Sequence, residues 1–501
     1  MVLAIYLSGF LIAALLAVCL KWFLNQNQRL PPGPVGIPIL GYLPFLNVFN
    51  LGQSFSDIAD KFGDIFSIRV GTELAIVLNS YDSIKKAFSK SELIDRPDTF
   101  MFRFFSQGEN GIASASGEKW QVQRKFTHTQ LKKFGFGRPQ MESFVQDEVR
   151  DLISVLKEKS DGGKKAVEIG FDINVSVVNV IWSIITGERK SHDDPRIRDF
   201  LVAINKGVEL ASTSGILLFM PFLAKIFPER FFGIDQMRKW MKASYDYLQE
   251  VVDGHKSAEP SSEDPRDFIE AFLAEMSKDG AHPSFNEKQL LVLCSELFGA
   301  GGEPTSVTLK WAIRYLAMNP EVMLKAQQEI DSVIGDCDRP VEFADKPKLP
   351  YVQAMIQDLI RIADIHPIGV LHSPSEDVEM DGFVIPKGSF VFPNFHRVHH
   401  DPAYWEKPDE LYPEHWLDAE GNFISKREGF LAFGVGKRKC PGQEVAQMEL
   451  FTFLSNLLRT FNFKLTPEDS GKIEATAGVV VSPKPYPIIL EPRETSSALI
   501  I

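Results

Sequence analysis

The sequence predicts a mainly α chain with a minor β portion, preceded by a transmembrane helix. Helical periodicity of apolar residues dominates from about 115 to 365. Short alternating stretches rich in β-branched residues flank that region. The first 20 residues carry no charged side chain.

Residues 1–20, MVLAIYLSGFLIAALLAVCL, with Trp22 and Phe23 nearby, are long enough to cross a bilayer as a helix. A cleaved signal peptide usually has a shorter core, a charged start and a small-residue cleavage site. Here no basic residue precedes the core, and Lys21 and Arg29 follow it. Residues 1–24 are therefore expected to be a membrane anchor, with everything after residue 21 on the cytoplasmic side. Pro31-Pro32-Gly33-Pro34 cannot be helical, so residues 25–50 are expected to form a stiff, proline-rich linker. Residues 65–79, IFSIRVGTELAIVLN, alternate as a hairpin does. Helices are predicted at 139–157, 286–318 and 320–334, and a surface loop at 256–266. Further strands are predicted at 376–392 and near 460–492. Neither a second linker nor a fixed-period repeat interrupts 51–496, which reads as one domain of helices with small peripheral sheets.

The 501 residues are 44% hydrophobic and 24% charged, an ordinary globular composition able to enclose a cofactor. A net charge of −12 without a long basic run argues against nucleic-acid binding. Cys19, Cys294, Cys337 and Cys440 are scattered, so no disulfide framework is expected and any thiol chemistry rests on one cysteine.

That cysteine stands in Phe433-Gly434-Val435-Gly436-Lys437-Arg438-Lys439-Cys440-Pro441-Gly442, which fits F-x-x-G-x-R-x-C-x-G at every fixed position. Average residue usage makes a chance match in such a chain roughly one in ten thousand. Glycines let the loop turn sharply and approach a flat ligand. Helical periodicity resumes at Gln443, so Cys440 lies just before a helix N-terminus, where the dipole favours a thiolate. A thiolate on haem iron pushes electron density toward the metal and favours O–O cleavage. Arg438 offers a fixed positive charge suited to a propionate.

With PPGPVGIPILG at 31–41 and GEKWQVQRKF at 117–126, the chain resembles the cytochrome P-450 family over almost its whole length. It is most similar to the animal microsomal branch, which oxidises small lipophilic compounds. The resemblance implies the cytochrome P-450 fold and haem b (iron protoporphyrin IX), with Cys440 as metal ligand and Phe433 and Gly442 in the cofactor loop. Trp120 and Arg124, one helical turn apart, His372 after PIGVL, and Arg438 match positions that meet the haem propionates. Residues 297–306, LFGAGGEPTS, resemble the oxygen-binding segment A-G-x-[DE]-T-[TS]. Ala300 and Gly301 are expected to line the oxygen site, small enough to leave room for dioxygen and substrate. Glu303 and Thr305 are the candidate catalytic residues.

Three positions depart from the family pattern. Pro304 replaces the usual proton-relay threonine, and Thr305 is about 100° further round the helix. A proline there lacks the N–H for the Ala300 carbonyl and favours a kink. Asp358-Leu359-Ile360-Arg361 stands for E-x-x-R, and Pro413-Glu414-His415-Trp416 for P-E-R-F. A weaker but compatible lock behind the haem is expected from the shorter aspartate and the histidine.

The resemblance implies a monooxygenase that inserts one atom of O2 into a lipophilic small molecule. Its electrons would come from NADPH through a membrane flavoprotein reductase, with cytochrome b5 as a second candidate donor. Lys125, Lys132, Lys133, Lys437 and Lys439 form a basic patch suited to an acidic partner. The implied location is the endoplasmic reticulum membrane, single-pass, with the catalytic domain facing the cytoplasm. Pro304 keeps open a haem-thiolate lyase, isomerase or dehydratase that works without oxygen activation. The altered motifs together keep open a haem-binding protein with little catalysis. With 39 phenylalanines the pocket is expected to be apolar; steroids, terpenoids, fatty acids and foreign compounds all fit it.

Overall fold

The computed structural model describes residues 29–493 apart from 136–138, 192–193, 214, 259–263, 336, 338 and 477–479. The anchor expected at 1–24 lies outside the described residues. Among those described, no helix is long and apolar enough to cross a membrane.

The elements that position the site are, in chain order, α1 (Leu51–Phe62), β1 (Ile65–Val70), β2 (Glu73–Leu78), α2 (Tyr81–Ser89), α3 (Gly117–Lys133), α4 (Pro139–Ser160), α5 (Gly170–Thr186), α6 (Glu287–Met318), α7 (Pro350–Ala363), β3 (Phe390–Pro393), α8 (Phe395–His399), α9 (Gln443–Thr460), β4 (Phe461–Leu465) and β5 (Pro487–Pro492). The predicted hairpin is β1 and β2, antiparallel with Ile65 opposite Leu78. β3 joins parallel to β2, Ile76 opposite Val391. A second sheet pairs β5 with β4 and with the short strand Val167–Glu168. Helices form the bulk, and their largest apolar cluster draws on α4, α5, α6, α7 and α9.

The proline-rich stretch is not the stand-off linker that its composition predicts. Ser67 donates its N–H to the Pro32 carbonyl at 2.9 Å and its hydroxyl to the Pro31 carbonyl at 2.7 Å. Tyr42 donates its N–H to the Arg69 carbonyl at 2.6 Å. Prolines have no N–H to leave unpaired, so they can cover a strand edge at no cost in donors.

Asn286 caps α6, its side chain accepting from the Gln289 N–H at 3.0 Å. The helix runs unbroken through Pro304. Ser306 Oγ donates to the Glu303 carbonyl at 2.9 Å and Thr308 Oγ1 to the Pro304 carbonyl at 2.8 Å, so hydroxyls secure the turn after the proline. Gly301 and Gly302 face α5. A Cβ on Gly301 would lie 3.0 Å from Ile181, and one on Gly302 2.4 Å from Val178. Their small size serves the close crossing of α5 and α6, which corrects the expectation that Gly301 is small to leave room for dioxygen.

Asp358 and Arg361 of α7 are fully buried. Asp358 accepts from Arg361 Nε at 2.7 Å and Nη2 at 3.1 Å, the Tyr412 N–H at 2.7 Å, His415 Nδ1 at 3.0 Å and Trp416 Nε1 at 3.3 Å. His415 Nε2 accepts the Lys407 N–H at 3.1 Å, which places the ring proton on Nδ1, facing the carboxylate. Arg361 spends its remaining donors on the His399, Pro408 and Glu410 carbonyls. The lock is saturated rather than weakened, because the shorter aspartate gains backbone and indole donors and the histidine fills the third place. Burial alone would raise the Asp358 carboxyl, but His415 and Arg361 overcome it and hold it below its ordinary 3.8. Its stabilisation is complete above that value and is lost on acidification through the lower folded value.

Asp358→Ala strands a buried guanidinium and should cost about 3–5 kcal/mol, read from urea unfolding. Gly302→Ala must displace the stiff Val178 side chain and should cost about 1–3 kcal/mol by the same measurement.

Candidate functional site

The cysteine loop is built by three close constraints. Gly434 and Gly436 turn it at φ of 68° and 73°. A Cβ on Gly436 would sit 2.1 Å from the Phe88 carbonyl, so the loop presses directly on α2. The Cys440 N–H then donates to the Phe433 carbonyl at 2.8 Å and closes the turn. α9 starts at Gln443, after Pro441 and Gly442. The Cys440 residue is accessible. It borders a cavity of about 550 Å³ whose walls include Trp120, Arg124, His128, Lys439 and Gln443. Burial pushes the thiol up, while the Gly442 N–H, Arg124 and Lys439 pull it down. A coordinated metal ion would settle that contest, since it deprotonates a ligating thiol outright.

Around Trp120, which lines the same cavity, the structure gathers arginines. Arg438 stacks over the Trp120 ring at 4.0 Å and Arg124 at 5.6 Å. Arg438 donates to the carbonyls of Ile94, Ile112 and Ala115 at 2.8, 3.0 and 2.6 Å. Arg96 donates to those of Ala113 at 3.0 Å and Leu371 at 2.7 Å. Arg124 reaches the Lys439 carbonyl. Among the described residues none of these three arginines has a salt bridge. Burial, then mutual repulsion, pushes Arg438 down to about 8 and Arg96 to about 9. His372 is buried, stacks on Phe88 at 3.9 Å and uses Nδ1 on the Leu93 carbonyl at 2.7 Å. Burial and then Arg96 hold it well below its ordinary range, and Nε2 is the atom left for a ligand. Trp120 Nε1 is buried without a partner.

On α6, Ala300 is exposed although the helix is largely buried, and a Cβ on Gly299 would meet nothing within 4 Å. That face opens on space. Glu303 is raised by burial, with Lys310 acting against the rise. Thr305 is buried and turned toward Glu449 of α9. The offset of one residue around the helix carries its hydroxyl away from the open face, so Thr305 does not replace the missing relay hydroxyl. The Glu449 carboxyl is fully buried, and its oxygens have no hydrogen bond of good geometry. Burial raises it well above its ordinary range, with Thr305 acting in the opposite sense.

Sequence reasoning passed over two residues. Arg96 meets Arg438 only through folding, and no local spacing announces it. Glu296 lies one turn before Ala300 and accepts the N–H groups of Ile112 at 2.6 Å and Ala113 at 3.1 Å. Burial raises its carboxyl to about 7 against those donors and Arg438. It ties the 111–113 segment to α6, and its i, i+4 relation to Ala300 was the one available signal.

A cysteine in a tight glycine loop, an orphaned indole N–H and three arginines without a salt bridge among the described residues fit a flat iron porphyrin with two carboxylates. The comparisons with known proteins agree. The cytochrome P450 family model matches residues 31–490. The chain is 34% identical over 481 residues to cytochrome P450 2L1 of Panulirus argus, covering 94% of this chain and 96% of that protein. It is 36% identical over 484 residues to cytochrome P450 2D4 of Rattus norvegicus, covering 93% and 94%. With cytochrome P450 18a1 of Drosophila melanogaster the identity is 33% over 499 residues, covering 95% and 90%. With its helical fold, small sheets and cysteine loop, the chain belongs to the cytochrome P450 family and is a haem-thiolate monooxygenase that uses haem b.

Proposed function

We propose that the Cys440 thiolate would hold the haem iron, and that the enzyme hydroxylates a lipophilic small molecule with electrons from NADPH delivered by a flavoprotein reductase. The observation that carries this reading is the Cys440 sulfur beside Arg124 and Trp120, with Arg438 stacked on the same indole ring and neither arginine in a salt bridge among the described residues. Bound haem supplies the iron at which dioxygen is reduced. Trp120 Nε1, Arg124 and Arg438 would donate to the propionates, His372 would join them only with a proton on Nε2, since its Nδ1 already donates to the Leu93 carbonyl, and Arg96 would add its charge. Phe433 and Gly442 shape the loop at the sulfur. Ala300 and Gly299 border the space for oxygen and substrate, and Gly301 keeps α5 close behind them. Pro304 offers no N–H to the Ala300 carbonyl, so that oxygen is free to hold a water on the open face. Glu303, inclined by burial to keep its proton, supplies such a water, while Thr305 positions α6 on α9 through Glu449.

Lys125, Lys133, Lys437 and Lys439 are exposed on α3 and the cysteine loop, and suit an acidic reductase or cytochrome b5. Residues 1–24 are the proposed endoplasmic reticulum anchor, with the catalytic domain on the cytoplasmic side. Exposed Val35, Ile37, Phe45 and Phe49 follow it, and Ile226, Phe227 and Phe231 are also exposed. Tyr42, Leu43 and Leu46 share one apolar cluster with Phe219 to Leu223, so a membrane surface could cover both groups at once. Pro304 favours a second reading, a lyase, isomerase or dehydratase that consumes neither NADPH nor oxygen.

Reconstitution with a reductase and a panel of lipophiles separates these readings. The expected outcome is product that requires both NADPH and oxygen, with Pro304→Thr raising the product formed per NADPH. Turnover without NADPH and oxygen would establish the second reading, and haem binding without any turnover would leave only a haem carrier.

A further inference from the structure

On the side of α7 beyond the buried lock, Asp364, His396 and His400 converge. One donor atom from each lies within 4.8 Å of the others. Asp364 ends α7 with a left-handed φ of 40°, which turns its side chain toward α8. Its Oδ2 lies 2.8 Å from His396 Nδ1. Its Oδ1 accepts from His399 Nδ1 at 3.0 Å. His399 Nε2 accepts the Leu431 N–H at 3.0 Å, so the His399 proton is fixed on Nδ1 and the carboxylate is aimed from behind. His400 Nδ1 pairs with Asp409 at 2.8 Å, which leaves Nε2 as its donor atom. His396 Nε2 faces Gln53 Oε1 at 3.3 Å, and its ring lies 4.5 Å from that of His400. Each candidate ligand thus has an outer partner of the kind that orients metal-bound histidine and carboxylate.

We propose that Asp364, His396 and His400 form a binding site for a borderline divalent transition-metal ion of the zinc class, with water completing the shell. Two imidazoles and one carboxylate are the donor set such ions take. At bond lengths of about 2.1 Å a tetrahedral shell sets donors roughly 3.4 Å apart, so the Asp364–His396 pair, now 2.8 Å apart, would open slightly around the ion. The widest pair must close from up to 4.8 Å to roughly 3.4 Å, a movement open to the half-exposed His400 ring. The ion would also be felt at the cofactor loop. The path runs from Asp364 through His399 to the Leu431 N–H, two residues before Phe433.

The test is zinc titration of the chelator-stripped, haem-loaded full chain by calorimetry, with the unfolding midpoint and zinc-edge X-ray absorption as further readouts. The expected result is one zinc per chain, a higher unfolding midpoint and a first shell of nitrogen and oxygen. His400→Ala and His396→Gln should each weaken binding at least about tenfold, and Asp409→Asn roughly tenfold as an orienting partner. An unchanged haem spectrum in zinc-free buffer shows that each variant is folded. No stoichiometric binding, binding indifferent to all three variants, or sulfur in the first shell would overturn the proposal.

Discussion

A steric constraint at the cysteine loop governs the arrangement of everything around it. Gly436 has no space for a side chain against the Phe88 carbonyl, and the Cys440 N–H closes the loop on Phe433. That contact fixes the loop to α2, and the same Phe88 stacks on His372. α9 starts three residues after the cysteine, and its Glu449 meets Thr305 of α6. One loop therefore sets the sulfur, the buried His372 and the long helix α6. Behind it, the saturated network on Asp358 anchors the segment from 407 to 416 to α7.

Electrostatics makes the cofactor part of the fold. Arg438 and Arg124 stack on Trp120 and Arg96 repels both, and backbone carbonyls satisfy their hydrogen bonds but not their charge. Burying like charges without an anion is expensive. Two propionates would relieve that repulsion, so bound haem would stabilise the native state through charge. Glu296 is the acidic group nearest this cluster along α6, but backbone N–H groups hold it in place.

Much of this was legible in the sequence because the informative patterns are local. The β1–β2 hairpin, the long helix at 287–318 and the cysteine loop each follow from periodicity or from fixed glycines. Trp120, Arg124, His372 and Arg438 do come together. What was not legible depends on partners distant in sequence. Gly301 read as space for a ligand, yet Ile181 occupies the space beside it. The prolines at 31 and 32 read as a spacer, yet Ser67 binds their carbonyls. His415 read as a weakened arginine, but the Lys407 N–H fixes its tautomer and Tyr412 adds a donor to Asp358. Arg96 joins the cluster across more than three hundred residues, beyond any motif.

The ligation of iron by the Cys440 thiolate is tested most directly by the reduced carbon monoxide difference spectrum of the purified chain beside its Cys440→Ser form. The account predicts the red-shifted Soret band of a thiolate-ligated haem in the natural chain and its loss in the serine form. The same spectrum from both, or no haem in either, would contradict it.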